Sequence, residues 1–335
     1  MNKHMRKISF IVVIMLFAVA VTACGGGTGS NPKAPADEPN AANTTGESPA
    51  AGNNGAGGTS QDSDTVTYKA ANGDIAIPKQ PKRIVLVADY YGYFLTLGIK
   101  PVGVSNYTFQ NPFYEGKLDG VQNIGDGRNM ESILALQPDL ILAWDAKAAE
   151  QLGKIAPTVV IEYGKLNYKD QLREFGRMTG TVDKAEAWIA SWEAKLAEVK
   201  PKVQQAVGDR TVSIMQTDAK NIYVFGDKFG RGGEIIYGEL GLKATELTKK
   251  ETIDAGPGYT NISLEKLPEF AGDYIFTSTW TMDSDGSATY DSAIWKSLPA
   301  VKQNRVFNIH PIGYYFNDPI SMEGQLVFIV SSLTQ

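Results

Sequence analysis

The sequence predicts an α/β protein of two Rossmann-like lobes with mostly parallel sheets, joined by one long rigid helix and enclosing a ligand cleft between them. Three observations lead there. Short β-branched runs alternate with helical stretches, the same punctuation occurs twice in the same order, and an Ala-, Glu-, Lys- and Trp-rich stretch of helical periodicity separates the two copies. The chain has 335 residues, 43% of them apolar and 10% aromatic, which suffices for substantial cores in about two domains.

The first element is not part of either lobe. Lys3, Arg6 and Lys7 precede an apolar run from Ile8 to Val21, about 14 residues against the roughly 20 that a membrane span requires. Residues 1–23 therefore read as a signal peptide. The run ends in Val21-Thr22-Ala23-Cys24, which resembles the bacterial lipobox, and Cys24 is expected to become the lipid-bearing mature N-terminus, anchored through two acyl chains. Residues 24–64 are Gly, Ala, Asn, Pro, Thr and Ser with scarcely any large apolar side chain, the composition of a flexible tether. The expected location is the extracytoplasmic face of a cell membrane, on the outer surface of a Gram-positive cell.

Residues 65–182 are assigned to the N-terminal lobe. Arg83-Ile84-Val85-Leu86-Val87 has the length and branching of a buried parallel strand, and Leu97-Gly98 supplies a helix stop. Glu131 to Leu136 reads as a short helix, and Pro138-Asp139 turns the chain into the strand Leu140–Ala143. In residues 208–335, the C-terminal lobe, the order repeats: the strand Arg210–Met215, the stop Leu240-Gly241, and Glu265 ahead of Asp273 and the strand Tyr274–Phe276. Each later strand runs into a tryptophan, Trp144 or Trp280. Between the lobes, residues 183–207 predict the joining helix, with Asp183 placed to cap it and Pro201 placed to kink or divide it. Such a hinge implies small closing motions.

Composition removes most chemistries. A net charge of −5 argues against nucleic acid as a partner, and one cysteine with two histidines can build no disulfide framework, redox pair or Cys/His zinc site. His310 is the only histidine outside the signal peptide, so a nucleophile has no base; no catalytic residues and no directly bound metal or cofactor are expected. The loop Phe229-Gly230-Arg231-Gly232-Gly233-Glu234 lacks the frame of either a P-loop or a dinucleotide fold. Aromatic residues instead gather after the predicted strands: Tyr90, Tyr91, Tyr93, Tyr107, Phe109, Trp144 and Tyr163 in the first lobe, and Tyr223, Phe225, Phe229, Trp280, Tyr314, Tyr315 and Phe316 in the second. In open α/β sheets ligands lie beyond the carboxyl ends of the strands, so these side chains are expected in the cleft, with Phe225 and Phe316 the closest to core positions.

These residues resemble the iron-siderophore substrate-binding lipoproteins of ABC importers, a helix-hinged class that also holds cobalamin and haem binders. The general signals are Arg83-Ile-Val, Leu136-Gln-Pro-Asp-Leu140, Ile155-Ala-Pro-Thr-Val and Asn317-Asp-Pro; the narrower one is Tyr223-Val-Phe-Gly-Asp-Lys-Phe-Gly-Arg-Gly-Gly-Glu234, similar to the ligand-contacting stretch of Gram-positive ferric hydroxamate binders. The resemblance implies ligand contacts from Tyr223, Phe229 and Arg231, with Phe229 where the family has Trp. It implies N-lobe contacts from Trp144 and Tyr163, Trp280 as a further cleft residue, and Tyr314 in preference to Tyr315. It also implies that Glu131 and Glu265 dock a permease and that the receptor is a monomer. The implied ligand is an Fe(III)-siderophore whose iron is saturated by six oxygens, so the protein supplies no metal ligand. Arg231, with Arg128 as a possible second cation, suits a near-neutral ferric hydroxamate better than a tris-catecholate of about three negative charges. Haem, a corrinoid or a carboxylate siderophore remain alternatives within the fold, and a surface-anchored hydrolase is the alternative outside it.

Overall fold

The computed structural model describes residues 64–335; the expected signal peptide, Cys24 and all but the last residue of the tether lie outside them. No helix among the described residues is long and apolar enough to cross a membrane. A hairpin comes first, β1 (Thr65–Ala70) and β2 (Gly73–Pro78), turning through Ala71-Asn72. Five strands follow: β3 (Ile84–Leu86), β4 (Gly103–Val104), β5 (Gln122–Asn123), β6 (Leu140–Ala143) and β7 (Thr158–Val160). They pair in the order β5-β4-β3-β6-β7, all parallel. Asn72 closes the exposed edge of β7, donating from Nδ2 to Thr158 O at 2.9 Å and accepting from Val160 N at 2.9 Å.

The second sheet contains β8 (Val212–Thr217), β9 (Ile222–Phe225), β10 (Tyr259–Ile262), β11 (Tyr274–Thr279) and β12 (Val306–Asn308) in the order β10-β9-β8-β11-β12. Here the expectation of mostly parallel pairing needs refinement. The β8-β11 and β11-β12 pairs are parallel, whereas β8-β9 and β9-β10 are antiparallel. Only four residues separate β8 from β9, enough for a hairpin and too few for a parallel crossover.

The repeated punctuation has a physical cause. Asp139 accepts from the amides of Lys82 and Arg83 at 2.7 and 2.9 Å, and Asp273 accepts from the amide of Thr211 at 2.8 Å. In each lobe one carboxylate at the entrance to a strand thus satisfies amides at the entrance to its parallel neighbour.

Helices α1 (Tyr91–Thr96), α2 (Met130–Ala135), α3 (Ala146–Leu152) and α4 (Tyr168–Thr179) cover the first sheet, and α5 (Val182–Val207) leads to the second. Buried Ala185, Ile189, Trp192, Leu196, Val203 and Val207 recur at helical spacing along α5, and its 26 residues extend about 39 Å. Pro201 does not divide it. Nor is Asp183 its cap: Thr181 holds that position, and Asp183 lies in the first turn, where its charge complements the helix dipole.

The C-terminal helix, Pro319–Leu333, returns across the molecule to pack on α1, on α5 and on the turn Pro112–Tyr114. Its cap, Asp318, accepts from Ile320 N and Ser321 N and also from Tyr114 Oη of the first lobe at 2.7 Å. Asn111 Nδ2 donates to Ser321 Oγ at 2.9 Å, Tyr93 Oη to Asn317 O at 3.1 Å, and Trp188 Nε1 to Glu323 Oε1 at 2.8 Å. One hydrophobic core runs through both lobes, from Leu86 and Phe94 through Trp192 to Ile214, Phe276 and Leu326.

Candidate functional site

The loop after β9 has an unusual backbone. Phe229, Gly230, Arg231 and Gly232 have φ of +65°, +75°, +60° and +86°, a left-handed stretch that L-residues adopt at a cost of about 1–2 kcal/mol each. It fits tightly against the chain at Tyr314-Tyr315, where Arg231 N donates to Tyr314 O. A Cβ at Gly230 would lie 2.4 Å from Tyr315 O, so no other residue fits there.

This backbone turns the Arg231 side chain inward, where it is only 7% exposed. Its Nε donates to Gln216 Oε1 at 2.9 Å and its Nη1 to Phe229 O at 2.7 Å. The guanidinium faces the rings of Phe225, Tyr315 and Trp280 at 4.7, 5.0 and 5.4 Å. Among the described residues no carboxylate pairs with it: Glu234 instead accepts from Gly230 N at 3.0 Å and Asn317 Nδ2 at 3.1 Å. Burial lowers the Arg231 pKa and raises that of Glu234. A guanidinium so placed stays charged and has donors left for a ligand.

Around it opens a cleft of about 530 Å³. Tyr163 reaches in from the first lobe, while Tyr223, Phe225, Phe229, Tyr259, Trp280 and Tyr315 line it with Arg231 from the second. Tyr163 stacks on Phe229 at 5.5 Å between centroids, joining the lobes at the cleft edge, and Tyr223 lies 4.7 Å from Trp280 on the other side.

Several sequence expectations change on this geometry. Tyr314 does not face the cleft: its ring is buried against Phe113 and Phe328, and Tyr315 takes the wall position. Trp144, half-buried, packs edge-on against Tyr163 at 5.8 Å and is not among the residues lining the cleft. Arg128 is a surface residue paired with Asp126 at 3.5 Å and lines a separate crevice. Phe225 and Phe316 are buried as expected, and Phe225 also forms the floor under Arg231. Tyr259 was missed; its signal is the Gly256-Pro-Gly turn followed by an alternating strand, which pairs Tyr259 with Phe225 in β10-β9. Glu131 and Glu265 are exposed, in the first turn of α2 and in the turn Leu264–Lys266. His310 is outside the cleft lining, its Nδ1 accepting from Gly313 N at 3.0 Å.

Asp89 lies at the carboxyl end of β3, half-buried, and accepts from Ser105 Oγ at 2.7 Å. Among the described residues no group of three or more His, Cys, Asp or Glu side chains is placed to hold a metal ion.

With two lobes, a long joining helix and an aromatic cleft in place, residues 84–312 match the family model described as periplasmic binding protein. The chain belongs to that family. Its similarity to individual members is extensive. The iron(3+)-hydroxamate-binding protein FhuD of Bacillus subtilis (strain 168) is 56% identical over 293 residues, which cover 85% of this chain and 93% of the relative. A crystal structure from the same organism, a FhuD fold-family periplasmic binding protein component of a ferrichrome ABC transporter, superposes with a TM-score of 0.77 at 57% identity, covering 80% of this chain and all of the other. FhuD2 of Staphylococcus aureus with bound ferrioxamine B superposes with a TM-score of 0.70 at 32% identity, over 76% of this chain and 98% of that one.

Proposed function

We propose that this binding protein captures a ferric hydroxamate siderophore outside the cytoplasmic membrane and delivers it to the permease of an ABC importer, without catalysing a reaction. The observation that carries this is the single buried, carboxylate-free guanidinium of Arg231 set among aromatic faces. A ferric hydroxamate presents partially negative oxygens around an already saturated iron and an apolar organic shell, which call for a few fixed donors and broad aromatic contact. Arg231 is the one cation among the residues lining the cleft, too few for a ferric tris-catecholate. The relatives named above bind or carry ligands of this class. In this reading Tyr163, Tyr223, Phe229, Trp280 and Tyr315 cover the ligand, Glu131 and Glu265 meet the permease, and a lipid on Cys24 holds the receptor to the membrane.

Tryptophan fluorescence tests the proposal, because Trp280 lines the cleft. Ferric hydroxamates are expected to quench saturably, metal-free hydroxamates far more weakly because their arms must be ordered on binding, and ferric catecholates least. Saturable binding of catecholates alone, or of no ferric chelate, would overturn it. A Cys24→Ala chain should leave the membrane fraction while still binding chelate; recovery of an unmodified Cys24 thiol from mature membrane-bound protein would refute the anchor.

A further inference from the structure

Several aspartates of the two lobes hold backbone in place. Asp139, Asp145, Asp218, Asp273 and Asp318 each accept from one or more main-chain amides at strand entrances, helix caps or turns. Asp89 differs. Its hydrogen bond among the described residues comes from a hydroxyl, Ser105 Oγ, and no Lys or Arg pairs with it there.

Its position is equally distinct. Asp89 and Ser105 follow the adjacent parallel strands β3 and β4 at their carboxyl ends, the edge from which ligands are approached in such sheets. Two aromatic chains run from this point to the cleft. Tyr90, the next residue, lies 5.7 Å from Trp144, which packs against Tyr163; Tyr107, two residues beyond Ser105, lies 5.0 Å from Tyr315. Tyr163 and Tyr315 both line the cleft. Asp89 is not itself one of the lining residues, but its negative charge acts on both Tyr163 and Tyr315, which places it within electrostatic reach of the first-lobe side of the cleft. Burial pushes its pKa up to about 6, so that the charged form is held at neutral pH against a desolvation cost, as is common where a charge serves a ligand.

We propose that Asp89 is a specificity-determining residue whose carboxylate receives a protonated amine of the bound ferric hydroxamate, while Arg231 faces the iron-bound oxygens. The inference rests on the ferric hydroxamate reading and extends it, by selecting amine-bearing chelates over uncharged ones.

The test compares a linear ferric trihydroxamate that ends in a free primary amine, ferrioxamine B, with its N-acetylated form, against the parent protein and Asp89→Asn. The parent should bind the free-amine chelate about 5- to 10-fold more tightly, the range between an exposed and a desolvated charge pair. Asp89→Asn should bind both forms alike, with affinity for the acetylated chelate within about twofold of the parent, which also reports that the variant is folded. Equal affinities in the parent would overturn the assignment. So would a preference that survives in Asp89→Asn, which would be steric, or a variant that loses both chelates equally, which would make Asp89 structural. If the parent binds neither chelate yet binds another ferric hydroxamate, this inference alone fails; if it binds no ferric hydroxamate, the ferric hydroxamate reading fails and this inference with it.

Discussion

Replacing Arg231 by Ala and, separately, by Gly divides its contribution to binding from the cost of its backbone. Both variants remove the guanidinium, and with it a charge-assisted contact to the ligand worth about 1.5–3 kcal/mol, so both should bind ferric hydroxamate about 10- to 150-fold more weakly. Both also leave Gln216 Oε1 and Phe229 O without their donor, so both should be less stable than the parent by a similar amount. They differ in the backbone. With φ of +60° at this position, Ala keeps a left-handed cost of about 1–2 kcal/mol, which Gly does not bear. Gly gives back about 0.4–1 kcal/mol through the greater entropy of its unfolded chain. A net advantage of about 0.5–1 kcal/mol remains for Gly, roughly 1–4 °C in melting temperature for a body of this size. Thermal unfolding and fluorescence titration of the two variants measure the two effects separately. Parent-like affinity in either variant refutes the role of the guanidinium, and a Gly variant that melts below the Ala variant refutes the account of the loop.

The other expectations concern pH, packing and transport. Because burial raises Asp89 from 3.8 to about 6, the native state binds its proton more tightly than the unfolded chain; the resulting stability is complete below about pH 4 and is lost as pH rises through about 6, some 3 kcal/mol at most. Asp89→Asn should therefore exceed the parent in stability at pH 7.5 by up to that amount and converge on it near pH 4, and urea titrations showing a pH-independent gap would contradict this. A Cβ at Gly92 would lie 1.6 Å from Asp318 Oδ1, so Gly92→Ala should force apart the Tyr114–Asp318 contact and lower unfolding stability by about 2–4 kcal/mol; an unchanged denaturation midpoint would show that α1 can shift freely. Glu131→Ala with Glu265→Ala should depress siderophore uptake by cells while leaving chelate affinity of the purified protein intact; normal uptake would leave these side chains only a helix-dipole role.

What the sequence made legible follows from how local each signal is. The strands at Ile84 and Leu140 and the apolar stripe of α5 are periodic patterns readable within one segment. The loop at Arg231 was legible because a charged residue between glycines signals an unusual backbone. Tyr314 and Tyr315 could not be told apart locally, since adjacent residues in a loop point different ways and the choice is made by Phe113, some two hundred residues earlier in the chain. Aromatic character alone does not distinguish a wall residue such as Tyr163 from one packed edge-on against it such as Trp144. Asp89 was passed over as one more polar residue after a strand; its distinction from Asp139 and Asp273 lies in the partners that they have and it lacks, which only the fold displays.

The return of the C-terminal helix onto α1 and α5, with Asp318, Ser321 and Glu323 bonded to the first lobe and the joining helix, bears on traffic at the membrane. On the function proposed above, a receptor fastened in this way would present nearly the same outline with or without cargo. A permease that recognised outline alone would then be occupied by vacant copies as readily as by filled ones. Uptake would rise with receptor abundance only while chelate is plentiful, and would decline once vacant receptors outnumber laden ones at the docking site, so the cell gains more from matching receptor number to iron supply than from unlimited synthesis.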